Sequence, residues 1–150
     1  MSLTHQLSEY VAACFTGIWI ESHEHEDAVA EIAQLCRDED WRLATWDIAA
    51  GLHVSGQSEQ VENSAADPLA AISAINALAS PEGSALLVLR NFHKFLGSPE
   101  IIQKLAQQIT TGKQNRTFVI VLAPIVEIPV ELQKNFVILQ HELPGREQLE

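Results

Sequence analysis

The residues of this 150-residue chain best equipped for chemistry are six histidines, two cysteines and one dense acidic stretch. The stretch is Glu21-Ser22-His23-Glu24-His25-Glu26-Asp27, and a further histidine, His93, follows in Leu89-Arg90-Asn91-Phe92-His93. Imidazole and carboxylate are the ligand types of zinc and other transition-metal sites, so His23, His25 and His93 are the candidate metal ligands of a metal-dependent hydrolase. The same acidic residues have a simpler explanation. Carboxylates in the first turn of a helix complement the partial positive charge at its N-terminus. A metal also needs three converging ligands, and only His23 and His25 are neighbours in sequence. The helix explanation is the stronger, and no metal is expected.

Nucleophilic catalysis finds no support. Cys14 and Cys36 lack CxxC spacing and the helix-start or basic surroundings that activate a cysteine, and there is no GxSxG elbow. They read as two small buried thiols of a reducing compartment. The six histidines read as surface or loop residues rather than members of a triad.

Phosphate chemistry would need a glycine-rich loop, commonly ending GK[ST], after the first strand of a parallel sheet. The segment from Glu21 to Asp27 offers no glycine, no lysine and four carboxylates. A like-charge contact at about 4 Å costs about 1 kcal/mol even in water. The next places to look are the later strand ends. Leu89-Arg90-Asn91-Phe92-His93 carries no carboxylate for magnesium, and Ala123-Pro124 no polar residue to sense a γ-phosphate. Catalytic and cofactor-binding residues are therefore expected to be absent.

Charge narrows the partners. Twenty Asp and Glu against nine Lys and Arg give a formal net charge of −11. Nucleic acid and anionic membrane surfaces are poor partners for such a chain, which has no basic run to offset the repulsion. No apolar run reaches the roughly 18 residues of a membrane span, and the N-terminus has no signal-peptide pattern. A cytoplasmic or equivalent location is expected.

These segments must be positioned by alternating strands and helices. Leu3, Leu7, Tyr10, Val11 and Cys14 recur at helical spacing. Strands are expected over 17–21, 42–47, 84–89, 117–123 and 136–139, as continuous β-prone apolar runs. Between them, Ser22 is the expected cap of a helix carrying Ala28, Val29, Ile32, Leu35 and Cys36. Asp67-Pro68 and Ser98-Pro99 open two more, the second stopping at Gly112. The segment 48–66, with Gly51, Gly56 and several Ser and Gln, reads as a long flexible polar loop. The result is one α/β domain over 1–150, a three-layer α/β/α sandwich around a five-stranded, mainly parallel sheet. Trp19 belongs to the core. Trp41 and Trp46 flank the second strand, a usual edge position, where an aromatic could anchor a partner although core packing is the commoner fate.

The order of blocks along the chain resembles a known family. The blocks are Gly17-Ile18-Trp19-Ile20-Glu21-Ser22, Thr45-Trp46-Asp47 with Gly51-Leu52, Asp67-Pro68-Leu69-Ala70-Ala71 and Leu87 to Leu96 (Leu-Val-Leu-Arg-Asn-Phe-His-Lys-Phe-Leu). Val121-Leu122-Ala123-Pro124, Ile128-Pro129-Val130-Glu131-Leu132 and Glu142-Leu143-Pro144-Gly145-Arg146-Glu147 complete the set. Together they resemble the N-terminal domain of an AAA-plus ATPase family of cyanobacteria and chloroplast genomes, with relatives across bacteria. The resemblance implies a degenerate, non-catalytic copy of the P-loop NTPase core, followed in the parent protein by a competent AAA-plus module. ATP and magnesium would then belong to that missing module, and this chain would be an N-terminal fragment of the cytoplasm or chloroplast stroma. The expected partners are the AAA-plus module of the parent, a neighbouring subunit or a client protein. The expected contact surfaces are loop 48–66 and the strand ends around His23, Arg90 and His93, with Trp46 as a candidate anchor.

Overall fold

The computed structural model describes residues 3–47, 51–54, 68–78 and 83–141. Its elements run α1 (Leu3–Ala12), β1 (Gly17–Glu21), α2 (His25–Glu39), β2 (Arg42–Asp47), β3 (Gly51–Val54), α3 (Pro68–Ala74), β4 (Ala85–Arg90), α4 (Pro99–Asn115), β5 (Thr117–Ala123) and β6 (Val137–Gln140), with short 3-10 turns at Ile75–Leu78, Phe92–Phe95 and Val130–Leu132. The sheet order is β3-β2-β4-β5-β1-β6. β1, β2, β4, β5 and β6 are mutually parallel, and β3 runs antiparallel to β2.

Strands buried on both faces need apolar residues at every position, and β5 has buried side chains throughout Thr117–Ala123. The period of two along each strand divides the core. Trp19, Leu87, Leu89, Val119 and Val121 point to the face covered by α3 and α4, where Ala71, Ile72, Ile101, Leu105 and Ile109 meet them. Ile18, Ile20, Leu86, Val88, Phe118, Ile120 and Leu122 point to the other, under α1 and α2. This is the three-layer α/β/α arrangement, with the five parallel strands expected from the apolar runs.

The crossover from β1 to β2 passes over the α2 face, whereas α4 returns β4 to β5 over the opposite face. The chain therefore leaves β1 and β4 toward opposite sides of the sheet. In an open parallel sheet, that divergence opens a crevice beyond the carboxyl ends of the strands.

Several details differ from the sequence reading. Gly51–Val54 is a strand, β3, inside the segment expected to be a loop; the rest of 48–66 lies outside the described residues. It forms because β2 offers it a ladder, pairing Asp47 with Gly51 and Ala44 with Val54. Consequently β2 is flanked on both sides and is not an edge strand. Trp46 is 1% exposed, in edge-on contact with Phe92 and Phe95, and is a core residue instead of a partner anchor. Trp41 is half-buried against the α2-side core.

Gly112 does not stop α4, which continues to Asn115 and ends at Arg116 in the left-handed region (φ 56°). Its glycine serves packing: a Cβ there would collide with the Thr117 carbonyl, where the chain doubles back into β5. The expected cap Asp67 and the block 142–147 lie outside the described residues. Among the described residues, no helix is long and apolar enough to cross a membrane.

The close approach at Gly112 gives a stability test. Gly112→Ala should destabilise the domain by about 1–3 kcal/mol, although alanine is ordinarily the better helix former by about 1 kcal/mol. Denaturant midpoints measure the sign directly.

Candidate functional site

The site is the crevice at the carboxyl ends of β1, β2, β4 and β5. On the β1 side the chain turns out of the sheet at Ser22, which is 1% exposed. Its N–H donates to the Ala123 carbonyl (2.8 Å), fastening the turn to the end of β5. Its Oγ accepts the Glu24 N–H (3.0 Å) and is hydrogen-bonded to His141 Nδ1 (2.8 Å). Nε2 of His141 meets Glu31 Oε2 at 2.9 Å, and the His141 N–H donates to the Glu21 carbonyl.

Ser22 is thus not the helix cap expected of it. α2 begins at His25 with Glu24 in the cap position and no side-chain cap bond. Glu26 and Asp27 do occupy the first turn, where they complement the helix dipole.

His141 lies in the loop just past β6, but its side chain is only 2% exposed. One signal points to it: in a parallel sheet, residues just past the ends of adjacent strands are neighbours, and Ser22 and His141 follow the paired strands β1 and β6. Hydroxyl, imidazole and carboxylate in a row have the order of a nucleophilic triad. Ser22 is buried, its Oγ accepts the Glu24 N–H, and the row braces β6 and α2 against the β1 turn.

On the β4 side, Arg90 is the last strand residue, and Asn91 adopts φ 56° while donating its N–H to the Leu122 carbonyl. The left-handed step starts the 3-10 turn that drives Phe92 into the core and brings His93 to the crevice. Arg90 Nη1 stands 4.0 Å from Asp47 Oδ2 at the end of β2, both side chains 29% exposed. Arg90 Nε and His93 Nδ1 are shielded from water and have no hydrogen-bond partner.

Charge links the two sides. Burial is the largest influence holding the His25 pKa below the usual 6.5, followed by the Arg90 guanidinium; a hydrogen bond with the Ser22 backbone opposes them, and His93 and His23 add to the lowering. For His93 the order is burial, then Lys94, with Glu127 opposing. The structure therefore gathers His23, His25, Arg90 and His93 from two distant segments, as the strand-exit argument expects, and adds Asp47, Lys94 and Glu127.

The gathering does not make a metal centre. Among the described residues, no three His, Cys, Asp or Glu side chains are grouped to hold an ion. The hydrolase reading of His23, His25 and His93 is corrected accordingly, and the Arg90 guanidinium that acts on His25 raises the positive potential where a cation would have to bind. The cysteines lie elsewhere. Burial pushes the Cys36 thiol up to about 12, as befits an inert core thiol, whereas Cys14 lies just past α1 and is only half-buried. An open groove of about 530 Å³ lies along α3 and α4, lined by Leu69, Ser73, Glu100 and Lys104 among others, and uses none of the crevice residues.

The histidines make the site pH-sensitive. A histidine whose pKa is lowered by folding takes up its proton more readily when unfolded. His25 and His93 therefore contribute their full stability above about 6.5, and that contribution declines as pH falls from there through their folded pKa values. NMR titration of the ring protons should find both below 6.5, and Arg90→Gln should move His25 upward. An unmoved His25 would contradict the proximity of the two groups.

Comparison with known proteins bears on the whole chain. No curated protein matches it closely enough to count as a relative. One family model matches residues 3–141, that of the SpoVK-like AAA ATPase N-terminal domain. The match runs from the first turn of α1 through His141, taking in both sides of the crevice and the brace between them. The chain belongs to the SpoVK-like AAA ATPase N-terminal domain family.

Proposed function

We propose that this chain is a non-catalytic regulatory or protein-interaction domain of an AAA ATPase. It acts by docking its strand-exit face, around His23, Arg90 and His93, onto an AAA module, a neighbouring subunit or a client protein. The carrying observation is the closed turn after β1. A phosphate-binding loop presents free backbone N–H groups to its anion. Here the Ser22 N–H is spent on the Ala123 carbonyl and the Glu24 N–H on Ser22 Oγ.

The sequence supports the same reading. Glu24, Glu26 and Asp27 surround the turn with negative charge, and neither lysine nor glycine is present between Glu21 and Asp27. ATP and magnesium are assigned to a separate ATPase module of a longer parent, with this domain upstream of it. We further assign the chain to the branch of the family carried by cyanobacteria and chloroplast genomes, on blocks such as Asn91-Phe92-His93-Lys94-Phe95-Leu96. Cytoplasm or stroma is the corresponding compartment. Trp46 drops out of the contact set because it is buried, and Arg90 and His93 remain.

Calorimetric titration of this chain with ATP and magnesium tests the proposal. No saturable heat is expected at micromolar nucleotide. Saturable binding in that range would overturn the reading.

A further inference from the structure

The crevice contains hydrogen-bonding capacity that the fold does not use. An arginine has five N–H donors in a planar fork. Asp47 stands 4.0 Å from Arg90 Nη1, beyond hydrogen-bonding distance, and Nε has no partner at all. His93 Nδ1 is likewise unpartnered. Buried polar groups are nearly always satisfied, and a donor left unpaired costs about as much as a lost hydrogen bond. Two such atoms stand where the chain leaves β4, Arg90 Nε–H and, in the tautomer that carries its proton there, His93 Nδ1–H, and form a place prepared for an acceptor.

We infer that the crevice takes a single carboxylate, presented by a protein partner and held by Arg90 with His93. This rests on the docking proposal above and specifies the chemistry the partner must present.

The charges facing the crevice select the number of negative charges the ligand can carry. Arg90 and Lys94 contribute two positive charges, and Asp47 and Glu127 contribute two negative ones. With their pKa values lowered, His25 and His93 are predominantly neutral at pH 7. Glu24, Glu26 and Asp27 stand exposed at the mouth. A polyphosphate approaching this balance meets net repulsion. One carboxylate fits better: its two oxygens match the guanidinium fork, and it adds a single charge. The Arg90 side chain is 29% exposed, so its terminal nitrogens make first contact. Nε and His93 Nδ1 are engaged as the two side chains turn toward the carboxylate.

The probe is a capped glycine peptide with one central glutamate, titrated into this chain while NMR follows the Arg90 Nε–H and the His93 ring. Saturable shifts are expected at both groups, and none with the glutamine version. Arg90→Lys keeps the positive charge but removes the fork and Nε–H, so it should weaken binding about tenfold or more. Its amide spectrum verifies the fold independently. An uncapped all-glycine peptide separates the sources: a response to it assigns the site to a chain terminus as well as to side chains. Equal responses to the glutamate and glutamine peptides, or undiminished binding by Arg90→Lys, would overturn the inference while leaving the docking proposal standing. Inorganic tripolyphosphate binding more tightly than the glutamate peptide at equal ionic strength would overturn both.

Discussion

The turn at Ser22 is the constraint on which the rest of the site depends. Three parts of the chain meet there: the end of β5 through the Ala123 carbonyl, the residue after β6 through His141, and α2 through Glu31. Each contact is made by a buried or part-buried group. In that setting a hydrogen bond is electrostatically strengthened and an unmade one is costly. The turn is therefore held in one conformation, with its Ser22 and Glu24 amides engaged within the protein. A parallel sheet of this kind places its most ligand-accessible loop after β1. In this domain that loop is occupied by its own structure.

The closed turn leaves the crevice of the fold in place. The crevice persists because it follows from topology: β1 and β4 send their chains to opposite faces whatever the loops contain. What changes is the chemistry at its walls. The Ser22 and Glu24 amides are taken up on the β1 side, and the polar side-chain atoms Arg90 Nε and His93 Nδ1 are left unpartnered on the β4 side. Phe92 is the residue that ties the β4 exit to the core, stacked edge-on against Trp46. Trp46, a candidate anchor by sequence, is buried against Phe92 next to the β4 exit.

How much of this was legible in the sequence varied with the range of the interaction. Thr117 to Ala123 announces a buried strand because every residue suits an interior on both faces. Ser98-Pro99 announces a helix start because proline's fixed φ and missing N–H suit that position alone. Both are local signals. β3 was not legible: four residues, Gly51–Val54, have no strand character until β2 supplies the ladder. Gly112 read as a helix stop because glycine commonly is one, yet its reason lies in the approach of Thr117, which pattern alone does not show. His141 stands 119 residues from Ser22 in the chain. Only the pairing of β6 with β1 brings the two together, so the brace could be found once the strand order was known and not before. The exit residues His23, Arg90 and His93 were legible because strand ends converge in any parallel sheet.

Native-state hydrogen exchange at the Ser22 and Glu24 amides tests the closed turn most directly. Both should exchange far more slowly than an exposed loop amide, and excess ATP with magnesium should leave their rates unchanged. Exchange at the unprotected rate, or protection that shifts when nucleotide is added, would contradict a turn whose donors are already committed to the protein.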